Sequence, residues 1–229
     1  MANTYLTFTE TVAPTNQTKF TYSAWIKRSK LGTDQTIFYN YKDASNYAYM
    51  YFRSGDDLRY FDRVGGGDTC IIVVDQKFRD TSAWYHFVLK VDTTQATGTD
   101  RVKFYVNNVQ APVTFTNTPP VDQALSLPRE GTKTIASSNG GGNYFDGSMS
   151  HVNFVSSTAY DPTAFGEYDA NGVWKIIASP SVTYGNNGFF ILKNGNSVTD
   201  QSGNSNNFTV ASGTLTNTED SPSNVFCTM

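Results

Sequence analysis

The chain has few cysteines, few charged residues and no long apolar run. Only two of its 229 residues are cysteines, too few for the disulfide framework of a small secreted domain. Charged residues make up 16% of the chain, well below the roughly 25% of an average soluble protein. The formal charge of −3 gives no electrostatic basis for binding nucleic acid. No stretch approaches the ~20 apolar residues of a membrane-spanning helix. The composition therefore predicts neither a nucleic-acid partner nor a membrane span.

The first residues and the cysteines bear on where the protein works. The opening MANTYLTFTE has neither the basic start nor the apolar stretch of a secretory signal. We therefore expect synthesis in a cytoplasm and, for a role outside the cell, release by lysis. Cys70, within TCIIVV, is expected to be a small buried hydrophobic residue. Cys227 is expected to be a free thiol, although a Cys70–Cys227 disulfide stays open at this stage.

Strand-like alternation is the main pattern that the sequence does contain. The segments 19–27, 46–53, 84–91 and 101–106 alternate along the chain with a period of two and are rich in aromatic and β-branched residues. In the first segment the face expected to be buried consists of Phe20, Tyr22, Ala24 and Ile26. Turns rich in glycine and asparagine separate about a dozen such strands at the spacing typical of β-sandwiches.

Helical patterns are confined to two weak candidates, 162–168 and 171–177. We therefore predict an all-β fold, an antiparallel two-sheet jelly-roll sandwich with few short helices. Residues 1–229 are predicted to form a single domain with a core at about residues 5–157. The extension 158–229 has too few apolar positions to fold alone, so we expect it to pack on or complete the sandwich.

Residues 143–157, NYFDGSMSHVNFVSS, bring a histidine, an aspartate and serines close together. A catalytic strand would need such groups, but Asp146-Gly147 is typical of a bend. The residues after it alternate like a strand with two faces. We interpret Val152 and Phe154 as its core contacts and expect no catalysis here.

Other tests for catalysis give weak signals. Glu167 and Asp169 are the best-spaced carboxylate pair, as glycoside hydrolysis requires two. His86 and His151 lie on separate predicted strands, and the chain has neither a G-x-S-x-G elbow nor a cluster of histidines and cysteines. We predict that the protein is not an enzyme. A glycan depolymerase that uses Glu167 and Asp169 is the alternative.

Two groups of side chains are candidates for binding. Tyr47, Tyr49 and Tyr51 share one face of a predicted strand, and Tyr39 and Tyr41 continue the row on the strand before it. If exposed, these rings would form a platform for sugar rings or for a protein partner. The alternative is that the rings pack between the two sheets.

The second group is a potential calcium loop, DQSGNSNN. Asp200, Ser202 and Asn204 are spaced like the oxygen ligands of such a loop. The glutamate that closes a calcium loop is missing, and an ordinary turn has the same composition. Calcium is therefore the single cofactor under consideration, and both interpretations stay open.

Four stretches resemble a known family: FTYSAWIKRS, AWYHFVLKVD, VKFYVNN and FDGSMSHVNF. Their order is similar to a concanavalin A-like lectin/glucanase domain of the laminin-G type, with a Ser23-Ala24-Trp25 strand followed by a Trp84-Tyr85-His86 strand. The resemblance covers residues 5–160 and implies a lectin-like sandwich. The glucanases of this family carry the pattern Glu-x-Asp-x-x-Glu, of which only Glu167 and Asp169 are present, so hydrolysis is not implied.

The extension 158–229 contains the stretches DPTAFGEYDANGVW, YGNNGFFI, DQSGNSNNFTV and DSPSNVF. This combination resembles laminin-G-like proteins encoded by marine bacteriophages, usually within virion structural or fibre proteins. This resemblance implies a non-enzymatic protein on the virion surface, with other capsid or fibre subunits as partners. A host-surface glycan and further copies of the chain, in a homo-oligomer, are additional partners to consider. Because the chain enters its first strand at once, we expect a capsid decoration or short head-fibre protein. A tail-fibre or receptor-binding subunit is the alternative.

Overall fold

The computed structural model describes residues 3–193, 195 and 197–222, and this part of the chain is almost entirely β-structure. In chain order the strands are Tyr5–Glu10 (β1), Lys19–Arg28 (β2), Gln35–Asp43 (β3), Asn46–Phe52 (β4), Leu58–Val64 (β5), Gly67–Val74 (β6), Tyr85–Asp92 (β7), Val102–Val106 (β8), Val109–Gln110 (β9), Val113–Asn117 (β10), Gly131–Ile135 (β11), Gly147–Ser156 (β12), Gly166–Tyr168 (β13), Trp174–Ile176 (β14), Phe189–Ile191 (β15) and Thr209–Ser212 (β16). Helical structure among these residues is limited to short 3-10 turns at Gly98–Asp100 and Pro162–Ala164. None of the described residues belongs to a helix long and apolar enough to cross a membrane.

Two antiparallel sheets form a sandwich. One has eight strands in the order β10-β6-β5-β4-β3-β11-β1-β16, and the other has six in the order β15-β12-β2-β7-β8-β9. β13 and β14 pair separately as a hairpin. The predicted all-β, two-sheet jelly-roll architecture is confirmed.

Alternation along the strands decides which side chains enter the core. The predicted inner face of β2 is completely buried, as are Val152 and Phe154 of β12 and Cys70 of β6. Across the eight-stranded sheet, the register aligns one apolar row from the core cluster: Leu6, Ile135, Phe38, Met50, Tyr60 and Ile72. Aromatic rings interlock between the sheets, since the ring centroids of Tyr22 and Phe38 lie 5.1 Å apart. This core fixes which residues remain on the outer faces.

The residues after 157 contribute to both sheets. β15 pairs with β12 at one edge of the six-stranded sheet, and β16 pairs with β1 at one edge of the eight-stranded sheet. Phe165 and Tyr184, which precede β15, pack with Phe190 of β15 and Val155 of β12 in a second, smaller apolar cluster. The single-domain assignment stays a prediction, as does the Cys70–Cys227 pairing, because Cys227 lies outside the described residues.

The prediction of helices at 162–168 and 171–177 is wrong except for one turn. Pro162–Ala164 forms a 3-10 turn, but the residues that follow form the β13–β14 hairpin. The indole of Trp174 lies so close to Gly166 that a Cβ there would be 2.3 Å from Trp174 Cζ2. Tertiary packing of this kind overrides a weak local helical pattern.

Candidate functional site

The five predicted tyrosines lie on the outer face of the eight-stranded sheet, not between the sheets. Ala48, Met50 and Phe52 of β4 are completely buried in the core. Successive side chains of a strand point to opposite faces, so the residues that alternate with these point outward. The outward-facing residues of β3 and β4 include Tyr39, Tyr41, Tyr47, Tyr49 and Tyr51.

The rings form one contiguous cluster across three strands. The ring centroids of Tyr39 and Tyr49 lie 5.5 Å apart with their planes 23° apart, and those of Tyr47 and Tyr49 lie 6.2 Å apart at 12°. Phe61 of β5 extends the cluster, with centroid distances of 5.6 Å to Tyr47 and 5.1 Å to Tyr49. We call this set the aromatic face: Tyr39, Tyr41, Tyr47, Tyr49, Tyr51 and Phe61.

Neighbouring rings shield one another, but the aromatic face keeps an accessible surface. Tyr39 and Tyr51 are each 8% exposed, whereas Tyr41, Tyr47 and Tyr49 are more open to solvent. Burial raises the pKa of Tyr39, and it raises the pKa of Tyr49 to about 12. These phenols therefore stay protonated at ordinary pH and offer neutral hydroxyl groups to a ligand.

Polar side chains border the aromatic face on both sides. On one side, Thr132 and Thr134 of β11 continue the outward rows of β3, with Thr132 partly exposed and Thr134 buried. On the other side, Arg59 and Arg63 of β5 each donate a hydrogen bond over 3.3 Å to a tyrosine hydroxyl of β4. An aromatic surface edged by hydroxyl and guanidinium groups is suited to a ligand that is itself apolar on its faces and polar at its rim.

Sequence reasoning found the tyrosines but missed Arg59, Phe61 and Arg63. The signal was present in LRYFDRV, where these three residues alternate with core residues. What places them beside the tyrosines is the pairing of β4 with β5, which joins Tyr49 to Phe61. Alternation within one strand does not reveal which strand lies beside it.

Asp200, Ser202 and Asn204 come together in one loop, where they bind protein groups. Asp200 Oδ1 accepts hydrogen bonds from the backbone N–H of Phe190 at 2.8 Å and of Ser202 at 2.9 Å. Asp200 Oδ2 accepts from Ser202 Oγ at 2.7 Å and from the N–H of Asn206 at 2.9 Å. The Asn204 amide donates to two backbone carbonyl groups. Within the ranges described, no three acidic, histidine or cysteine residues form a metal-binding group. The calcium site stays a prediction.

Most of the residues that the sequence offers as candidates for catalysis make hydrogen bonds or ion pairs within the fold. Asp169 accepts hydrogen bonds from two backbone N–H groups of its own turn, and the Lys175 ammonium at 2.7 Å lowers the pKa of Asp169. Glu167 is exposed on the same hairpin. His86 and His151 hydrogen-bond to Ser23 and Ser150, each at 2.8 Å, and neither contacts a carboxylate in the described part of the chain. These contacts do not assemble a nucleophile, a base and an acid.

A concave feature, separate from the aromatic face, lies beside the C-terminal end of the described chain. It is a cavity of about 720 Å³ with an apolar floor that includes Leu6, Ile135 and Phe145. Residues 214–221 form one wall of this cavity. Asp220 holds that wall through an ion pair with Lys27 and accepts a hydrogen bond from Trp84 Nε1 at 2.9 Å. Sequence reasoning did not predict the cavity, because its lining comes from segments far apart in the chain.

Comparison with known proteins identifies the family. No curated protein matches the chain. Among solved structures, a "putative carbohydrate binding protein" from Bacteroides ovatus has a TM-score of 0.63 and 17% identity, covering 96% of this chain and 60% of that one. An SAP-like pentraxin from Limulus polyphemus has a TM-score of 0.48 and 17% identity, covering 69% of this chain and 71% of that one. Domains LG4-5 of the mouse laminin alpha1 chain have a TM-score of 0.49 and 13% identity, covering 70% of this chain and 41% of that one.

The likeness to the Bacteroides protein shows the fold, and this chain spans 60% of that protein's length. The family model Laminin_G_3 matches residues 1–162, which include every residue of the aromatic face. Its description is the concanavalin A-like lectin/glucanases superfamily. With most of its length matched by that model, the chain belongs to the concanavalin A-like lectin/glucanases superfamily.

Proposed function

We propose that this protein is a non-catalytic glycan-binding protein, and that the aromatic face is its binding surface. The observation that carries the proposal is the contiguous cluster of six outward-facing rings bordered by threonines and arginines. Sugar rings stack their C–H faces on aromatic rings, while their hydroxyl groups need hydrogen-bonding partners at the rim. The carbohydrate-binding description of the Bacteroides protein, which shares the fold, supports the same choice.

We further propose that the protein acts on the surface of a bacteriophage particle, as a capsid decoration or short head-fibre protein. The resemblance of the extension 158–229 to proteins of marine bacteriophages supports this role. A tail-fibre or receptor-binding subunit is the alternative location. In either place the aromatic face would contact a glycan of the host surface or of the surroundings, and other virion subunits would bind elsewhere on the molecule.

The glycan-binding role is tested by substitution within the aromatic face. Tyr49 contacts four other rings of the face, so Tyr49→Ala removes the centre of the platform. We expect the affinity for any polysaccharide that binds the wild type to fall about tenfold or more, as for a central aromatic contact. Affinity electrophoresis through a panel of polysaccharide gels measures this change, and thermal unfolding reports whether the variant stays folded.

Tyr168→Ala is the matched control. Tyr168 is 54% exposed and lies on the β13–β14 hairpin, away from the aromatic face. Its substitution should leave the affinity unchanged. Tyr49→Phe, which keeps the ring, should retain most of the binding even if Tyr49→Ala proves unstable. Equal affinity of the wild type and a folded Tyr49→Ala variant would contradict the proposal.

The virion role is tested on purified particles. Mass spectrometry of particles produced by a host culture should detect this chain in a fixed ratio to the major capsid protein. A particle reconstruction should then place it on the head or on the tail, which separates the two locations. Its absence from purified particles would contradict the virion role and leave the glycan-binding proposal standing.

A further inference from the structure

Two arginines extend from the same face of β5 on either side of Phe61. The guanidinium carbon of Arg59 lies 5.9 Å from the Phe61 ring centroid, and that of Arg63 lies 5.8 Å from the centroid of Tyr47. Each arginine donates to one tyrosine hydroxyl over 3.3 Å. In position and in aromatic contacts, the two side chains are close equivalents.

The two arginines differ in how their charge is balanced. Arg63 Nε lies 3.1 Å from a carboxylate oxygen of Asp68 and donates to the carbonyl oxygen of Gly66. Arg59 has no carboxylate within ion-pair distance of 4.0 Å among the residues that the structure describes. The Nε of Arg59 is also buried and has no hydrogen-bond partner there. Within the described part of the chain, Arg59 is therefore a cation with no carboxylate in ion-pair contact.

An unbalanced guanidinium beside aromatic rings is suited to an anionic ligand. Guanidinium groups bind carboxylate and sulfate oxygens through paired N–H donors, and such charge-assisted bonds are among the strongest in proteins. Neighbouring rings keep water away and thereby strengthen the attraction. Arg59 approaches the aromatic face at Phe61 and Tyr51, each of which has its ring centroid 5.1 Å from that of Tyr49. A sugar ring seated on Tyr49 would bring a charged substituent within reach of Arg59.

We propose that the aromatic face selects anionic glycans, those with carboxylate or sulfate groups, and that Arg59 binds the acidic group. This inference rests on the glycan-binding function proposed above and adds the chemical class of the ligand. Arg63 contributes little to this selection because Asp68 already balances its charge.

The test compares matched pairs of polymers that differ in charge alone. Polygalacturonate is paired with its methyl ester, and dextran sulfate with dextran. We expect the wild type to bind the acidic member about tenfold or more tightly than the neutral one. Arg59→Gln should abolish this preference while the weaker binding to the neutral member persists. Arg59→Lys, which keeps the charge but loses the paired donors, should retain part of the preference.

Arg63→Gln is the control: because Asp68 already balances the charge of Arg63, the ratio of the affinities for the acidic and the neutral member should stay as in the wild type, whatever the change in affinity for both. If it lowers the preference as much as Arg59→Gln does, the effect is one of overall charge and the assignment to Arg59 is overturned. Equal wild-type binding to both members of each pair would also overturn this inference, and the glycan-binding function would stand. Binding to none of the polymers of this test or of the wider panel would instead count against the glycan-binding function itself.

Discussion

His86 is a buried, uncharged histidine whose proton the structure places on Nε2. The indole N–H of Trp174 donates to His86 Nδ1 at 3.1 Å, and an indole nitrogen can only donate. Nδ1 is therefore the acceptor, and Nε2 carries the proton that faces Ser23 Oγ at 2.8 Å. Trp25 stacks on the ring with a centroid distance of 5.0 Å. Burial lowers the pKa of His86 to about 3.

This low pKa predicts a loss of stability in mild acid. The unfolded chain binds a proton at His86 as the pH falls below about 6.5, while the folded protein does not. The His86 contribution to the free energy of unfolding should therefore drop by about 2 kcal/mol between pH 7 and about pH 5. His86→Phe lacks this group, so the stability gap between wild type and variant should narrow by that amount. Urea denaturation at both pH values measures it.

The comparison between wild type and variant isolates His86. His151, whose pKa burial lowers to about 4, titrates in both proteins and cancels in the difference. A gap that stays constant across the two pH values would show that His86 is not held neutral by the fold.

At the scale of elements, the β13–β14 hairpin lies over the outer face of the six-stranded sheet. Trp174 of β14 fixes it there, because the ring hydrogen-bonds to His86 and lies 5.9 Å from it. On the hairpin itself, the ring centroid of Tyr168 is 5.0 Å from that of Trp174. Gly166 leaves the space that the indole occupies. The position of the hairpin depends on this packing more than on the few backbone hydrogen bonds between β13 and β14.

Gly166→Ala should displace Trp174. The new Cβ would lie 2.3 Å from Trp174 Cζ2 and 2.9 Å from the carbonyl oxygen of Lys175. Overpacking of this kind should lower the free energy of unfolding by about 1–3 kcal/mol. Denaturant titration measures the loss, and near-UV circular dichroism should report the altered indole environment. Gly67→Ala is the control, since its Cβ would meet nothing closer than the Val64 carbonyl oxygen at 3.7 Å. Equal effects of the two substitutions would contradict this account of the hairpin.

Strand length explains which elements the sequence predicts well. Alternation places β2, β4, β7 and β8 within a residue or two of their observed ends, because each has at least five residues. β13 and β14 have three residues each, too few to show a period of two. Pro162 followed by apolar residues then favours a helix, and the packing of Trp174 on Gly166 decides against it.

The sequence likewise predicts one part of the candidate site and not the other. The tyrosine row follows from alternation in β3 and β4, which are adjacent in sequence. The contribution of β5 requires the strand register, and the unbalanced charge of Arg59 requires the positions of all surrounding carboxylates. Composition and residue spacing reveal neither the strand register nor the positions of those carboxylates.

At the scale of the whole molecule, a network of buried polar groups holds a loop inside the sandwich. Leu125 and Leu127 are completely buried in the core, although their segment forms no strand. The Asp62 carboxylate accepts hydrogen bonds from the N–H groups of Ser126 at 2.8 Å and Leu127 at 3.0 Å. On the carbonyl side, Asn40 Nδ2 donates to Ser126 O at 2.7 Å. These side-chain hydrogen bonds pair backbone groups of the loop that would otherwise be paired by a neighbouring strand.

Nothing in the local sequence predicts this network. The segment VDQALSLPRE shows no alternation, and its partners Asp62 and Asn40 lie on β5 and β3, far away in the chain. Both alternate with outward residues of the aromatic face, so the same two strands present binding residues on one side and anchor the loop on the other. Loss of the loop should therefore disturb the aromatic face as well as the core.

Asp62→Ala tests this connection. The substitution leaves two backbone N–H groups and the Tyr60 hydroxyl, which donates to Asp62 at 2.7 Å, without a partner in the core. Each of the three unpaired groups costs about 1–3 kcal/mol, so the free energy of unfolding should fall by at least about 3 kcal/mol. Burial raises the pKa of Asp62 from its ordinary value of 3.8 to about 7, so the folded protein keeps a proton that the unfolded chain releases, and the stability gap between wild type and variant should shrink as the pH rises from about 4 to about 7. Asp68→Ala, at an exposed carboxylate on the neighbouring strand, should change stability by no more than about 0.5 kcal/mol. Urea denaturation at about pH 4.5 and about pH 8 measures both effects, and a gap that stays constant between these values would show that the fold holds Asp62 as a stable anion.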